Sequence, residues 1–128
     1  MSLTNAFETS TLQYLLTTGS VTRPTAWYVG LFTSDPTDTG AAGTEVSGNG
    51  YTRKAATFTV SGDTASNSAS IEFPAASGGN WGTVGWIGIM DAASGGNMII
   101  HSALTTAKAI NDGDVFRIPT GDLDITAS

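Results

Sequence analysis

The fold is decided where Met1-Ser2-Leu3-Thr4-Asn5-Ala6-Phe7-Glu8-Thr9-Ser10-Thr11-Leu12-Gln13-Tyr14-Leu15-Leu16 gives way to Ala26-Trp27-Tyr28-Val29-Gly30-Leu31-Phe32. In the first stretch apolar residues recur at helical spacing, and in the second they alternate with a period of two. Leu3 and Phe7 share a face four residues apart, and Leu12, Leu15 and Leu16 continue the stripe, so a helix is predicted over about residues 3–18. Asn5 with Glu8 three positions on has capping-box spacing, Ser2 and Thr4 are alternative caps, and Gly19 ends the helix. Packing on the chain's own sheet is the default use of such a stripe, and contact between subunits is the other. Trp27, Val29 and Leu31 point one way from the strand that follows and Tyr28, Gly30 and Phe32 the other, so this strand is apolar on both faces and central.

Everything beyond Phe32 reads as strands and turns. Thr33-Ser34-Asp35-Pro36 breaks the strand, and residues 37–50, with four glycines and no apolar periodicity, predict a long exposed loop of the kind that carries function. Strands are predicted over residues 51–60, 69–73, 83–91, 98–104, 115–119 and 123–126. Turns fall at Ser61-Gly62-Asp63, Gly78-Gly79-Asn80, residues 91–97 and Asn111-Asp112-Gly113-Asp114. Gly85 and Gly88 beside Trp86 imply an aromatic ring lying over bare backbone. The expected class is therefore mainly β: one domain over residues 1–128, an antiparallel, jelly-roll-like β-sandwich of seven or eight strands behind one N-terminal helix.

Composition agrees and narrows the function. A chain of 128 residues can bury a core without disulfides or metal, and it contains no Cys, which removes thiolate chemistry and Cys-based zinc sites. Eleven acidic residues against five basic ones give a net charge of -6, which argues against nucleic-acid binding, since that begins by neutralising phosphates. No apolar run is long enough to span a bilayer, and the start lacks the basic-then-apolar pattern of a secretory signal. Only 12% of residues are charged, against sixteen glycines, so the outer faces are expected to be Thr-rich strands that are easily buried against a partner.

No catalytic, cofactor or metal residues are expected. His101 lies in a strand between Ile100 and Ser102, without a Gly-x-Ser-x-Gly elbow to support a triad, and reads as a tolerated strand histidine. Gly78-Gly79-Asn80-Trp81-Gly82 lacks the Lys and Ser/Thr of a phosphate loop. Asp35, Asp38 and Glu45 in the long loop, and Asp112, Asp114, Asp122 and Asp124 near the end, match no calcium-loop spacing and suit turns bonding their own backbone. Trp27 and Trp86 are expected in the core and Trp81, between Asn80 and Gly82, at the surface, where it would serve a carbohydrate-binding module.

Several motifs, in order, resemble a group of small virion proteins of tailed bacteriophages. They are the opening Met1 to Thr9, then Trp27-Tyr28-Val29-Gly30-Leu31-Phe32-Thr33-Ser34-Asp35-Pro36, Gly50-Tyr51-Thr52-Arg53, Ala65-Ser66-Asn67-Ser68-Ala69, Ile71-Glu72-Phe73-Pro74, Trp81-Gly82-Thr83-Val84 and His101-Ser102-Ala103-Leu104-Thr105. The resemblance implies a structural virion component made in the host cytoplasm. Two roles follow from it: a cement or decoration protein, bound as a homotrimer to the major capsid protein on the outer capsid surface, or a tail-fibre component for host attachment. One compact chain with no repetitive shaft favours the cement role. Leu3, Phe7, Asp35, Asp38 and Glu45 are then the expected partner contacts.

Overall fold

The computed structural model of the chain describes residues 2–127. The elements in order are β1 (Ser2–Leu3), α1 (Asn5–Leu16), β2 (Tyr28–Phe32), β3 (Lys54–Ala55), β4 (Phe58–Ser61), β5 (Thr64–Asn67), β6 (Ile71–Glu72), β7 (Gly82–Met90), β8 (Met98–Ile110), β9 (Arg117–Ile118) and β10 (Asp124–Thr126). Three antiparallel sheets form, ordered β1-β8-β7-β2-β3, β10-β5-β4 and β6-β9. The predicted class holds: a mainly antiparallel β-sandwich with a single short N-terminal helix.

Strand β2 is central, as its two apolar faces require. Val29 and Leu31 enter the main core with Ile87, Ile89, Ile71, Phe73, Phe116 and Ile118, which joins the five-stranded sheet to the two-stranded one. Phe58 of β4 and Ile125 of β10 pack against that core from the third sheet. On the other face Phe32 packs with Met90 and Met98 in a smaller cluster edged by Tyr28 and Trp86. The close backbone approach is real but differently placed. A side chain on Gly88 would meet Met98 and Phe32, and one on Gly30 would meet Glu45 and Phe32, whereas Gly85 is opposed only by Ala107.

Several boundaries differ from expectation for identifiable reasons. The helix is shorter at both ends. Ser2 and Leu3 instead join the sheet edge opposite His101 and Ile100, and the chain leaves the helix at Thr17, in extended conformation, before Gly19 is reached. Thr4 occupies the N-cap position, but its hydroxyl donates to the Met98 carbonyl at 2.7 Å and caps nothing, while Asn5 is already helical. The strand expected over 51–60 is divided into β3 and β4. β5 has no counterpart in the sequence reading, because Thr-Ala-Ser-Asn carries no hydrophobic alternation. β8 runs six residues beyond the expected end at Leu104. Its pairing with β7 jumps from Val84↔Lys108 to Trp86↔Ala103, so Leu104, Thr105, Thr106 and Ala107 bulge opposite Gly85 alone.

Candidate functional site

Two features stand out from the sandwich: the folded long loop with its charged clamp, and the projecting helix. The loop begins at the Asp35 turn, where the carboxylate accepts the Thr37 amide at 2.9 Å, and returns alongside β2 through Thr33 N–H to Thr44 O and Val46 N–H to Leu31 O, both 2.9 Å. That return carries Glu45 beneath Arg53. Arg53 donates from Nε and Nη2 to the two Glu45 oxygens at 2.8 Å each, and from Nη1 to the carbonyls of Ala92 and Gly95, also at 2.8 Å. Tyr51 donates to Glu45 at 2.6 Å and accepts the Leu31 amide at 3.0 Å.

All these donors and acceptors are satisfied within the protein, so the cluster is a clamp joining two loops to the central strand. Burial, and then the hydrogen bond to the Glu45 carboxylate, push the Tyr51 phenol well above its usual value and keep it neutral. Arg53's own hydrogen bonds to Glu45 raise its guanidinium and outweigh the effect of its burial. A shallow open cleft of about 290 Å³ lies over this clamp, walled by Ser47, Gly48, Thr52, Ala93, Ser94 and Gly95.

The helix is held at its first turn. The Asn5 amide donates to Asp38 O at 2.8 Å and the Thr4 amide to Ile99 O at 3.0 Å, while His101 Nε2 and Asp38 Oδ1 are 2.9 Å apart. Phe7 and Leu3 pack against the main core. Beyond that turn nothing covers α1: no residue of the helix is buried, and Leu12, Leu15 and Leu16 are 58%, 66% and 77% exposed. Phe7 thus packs on the chain's own sheet, while Leu12, Leu15 and Leu16 lie on a different face of the helix and do not continue its stripe.

Of the expected contact residues, the structure brings Leu3, Phe7 and Asp38 together at the root of the helix. It places Glu45 in the clamp and leaves Asp35 in its own turn. Leu3 and Phe7 do not share a helix face, because Leu3 belongs to β1. Trp81 is the reverse of expectation: it is 5% exposed, its indole N–H donates to Asn49 O at 2.9 Å, and its ring meets Tyr51 edge-on. Trp27 is the more exposed tryptophan, so a sugar platform on Trp81 is excluded. Asp114 behaves as a turn aspartate, accepting the Asn111 amide at 2.9 Å, whereas Asp124 lies in β10 and accepts from the Ser66 hydroxyl on the neighbouring strand. Among the described residues no three His, Asp or Glu side chains gather as a metal site would require, and no helix is long and apolar enough to cross a membrane.

Sequence reasoning missed Arg53 and Asn67. Asn67 is fully buried and fastens the segment before β10 through bonds to Pro119 O and from the Leu123 amide, both at 3.0 Å. The available signal was an Arg in a chain with only five basic residues, followed later by an Asn set among small residues.

A β-sandwich carrying a short helix, with ordered motifs like those of small phage virion proteins, defines the class: a structural protein of tailed-bacteriophage particles. The family model described as Podophage GP4 fiber I protein gp80 matches residues 2–126, and the chain belongs to that family. Comparison with curated proteins gives no match.

Proposed function

We propose that the protein is a component of the virion's tail or fibre apparatus, acting by holding and contacting other chains and not by turnover. The carrying observation is the match to a podophage fibre family over residues 2–126. It favours the fibre role over the cement role, whose support is the compactness of the chain. The geometry suits either kind of scaffold: polar groups around Glu45 and Arg53 are used up internally, while apolar surface is left outward on α1. In this reading copies assemble about a symmetry axis, with a homotrimer as the expected order, and a second virion protein supplies the attachment point.

Copy number separates the roles. Quantitative mass spectrometry of purified particles, normalised to the major capsid protein and joined to immunogold labelling, should find few copies, located at the tail. Copies in proportion to the major capsid protein, spread over the shell, would overturn the fibre reading in favour of cement.

A further inference from the structure

Helix α1 is anchored at one end and apolar at the other. At 3.6 residues per turn, Phe7, Ser10 and Tyr14 lie on one face and Glu8, Leu12, Leu15 and Leu16 on another. The first face rests on the sandwich through Phe7, and the second meets nothing. Glu8 is the sole charged residue of the helix, and it stands at the head of the leucine stripe. From Glu8 to Leu16 this stripe is about 12 Å long at 1.5 Å per residue.

A groove flanked by basic side chains lies elsewhere on the same chain, with Leu104 as its partly exposed apolar residue. Beside the bulge of β8 an open groove of about 290 Å³ is lined by Leu104, Lys108, Phe116, Arg117, Ile118 and Asp122. Lys108 sits over the Phe116 ring, 5.8 Å from its centroid. Lys108 and Arg117 are exposed, and among the described residues neither forms an ion pair, although Glu72 stands opposite Arg117 in the β6-β9 ladder. Two of the chain's five basic residues are thus concentrated in this groove, and no residue of α1 lines it.

We propose that the leucine face of α1 docks into the β8-β9 groove of a second copy of this chain, with Glu8 meeting Lys108 and Arg117. Charge selects the occupant. A chain of net charge -6 repels its copies in general, and this pairing sets the acidic residue of an otherwise uncharged helix against two of the chain's five basic residues, in a groove whose lining has one acidic residue, Asp122. Because helix and groove are different patches, the contact is heterologous and closes into a ring when the rotation allows. The apolar helix face supplies the affinity of a helix-in-groove contact, and the flanking charges supply its register. The inference rests on the reading of the chain as a self-assembling structural component and names the contact that assembles it.

The test uses the purified full-length chain in light scattering coupled to size exclusion, with circular dichroism as the folding control. Wild type is expected to form a closed oligomer. Leu12→Ser with Leu16→Ser, and separately Lys108→Glu with Arg117→Glu, should each fall to the mass of a single chain with unchanged spectra. Mixing the two variants should restore association, since one keeps an intact groove and the other an intact helix. A monomeric wild type, or an oligomer that survives the leucine changes, overturns the proposal. Failure of the mixture to complement overturns the groove as acceptor and leaves helices bundling on helices. Particle copy number is measured independently, so the virion role can fail while this contact stands, and the reverse.

Discussion

At the scale of single residues, the interior is organised by a few polar side chains whose partners lie far away in sequence. Arg53 makes four bonds that tie the 37–50 loop and the 91–97 loop to the sheet, with its side chain 8% exposed and that of Glu45 23% exposed. Replacing Arg53 by Leu leaves the half-buried Glu45 carboxylate with Tyr51 as its remaining donor and deprives the Ala92 and Gly95 carbonyls of theirs. The expected loss is about 2–4 kcal/mol in urea denaturation. Arg53→Lys should recover only a minor part, because an ammonium cannot hold both carboxylate oxygens in a planar fork.

Tyr51 gives a pH signature with a definite sign. Its phenol is raised in the folded state, so its contribution to stability is fully present below the unfolded value of about 10 and is lost as pH rises above it, where the unfolded chain releases a proton that the folded one retains. Tyr51→Phe should cost about 1–2 kcal/mol at neutral pH, since the Leu31 amide and Glu45 lose a partner. It should also make the alkaline decline in stability shallower than in wild type, as read from denaturation midpoints on either side of pH 10. A decline of equal steepness in both proteins would assign it to other groups.

At the scale of elements, hydrophobic alternation was legible and polar pairing was not. β2 and β7 were readable because both faces are apolar, and residues 37–50 as a loop because nothing in them repeats, although its return along β2 is not exposed, since Val46 enters the core there. β5 and the far half of β8 were unreadable, because Thr, Ser and Ala carry no contrast between buried and exposed positions; their partners decide their conformation. Trp81 misled for a related reason. Neighbouring Asn80 and Gly82 suggested exposure, yet the ring is drawn inward by the Asn49 carbonyl and the Tyr51 ring. At the helix start, propensity pointed to a cap within the helix, while Thr4 spends its hydroxyl on the sheet edge. Thr4→Val should therefore loosen the anchor of α1 without opening the sandwich. Hydrogen exchange is expected to quicken across residues 5–16 and stay unchanged in β2 and β7, at a stability cost of about 1 kcal/mol.

At the scale of the whole molecule, stability and association lie in different places. Both ends of the described chain are stitched into sheets, Ser2–Leu3 onto β8 and Asp124–Thr126 onto β5, so the sandwich is closed by contacts between distant parts of the sequence. The leucine face of α1 adds nothing to that closure, being exposed throughout. If a second copy covers it, stabilisation by the partner follows mass action and grows with protein concentration, as it does for any ligand that binds only the folded state. The melting temperature of wild type should then rise as the protein is concentrated, while that of the variant carrying Leu12→Ser, Leu15→Ser and Leu16→Ser should stay constant. At high dilution their stabilities should converge to within about 1.5 kcal/mol, roughly 0.5 for each of the exposed substitutions. Parallel curves at every concentration would mean that the helix takes no part in assembly, and a gap that persists on dilution would mean that its leucines serve the sandwich itself.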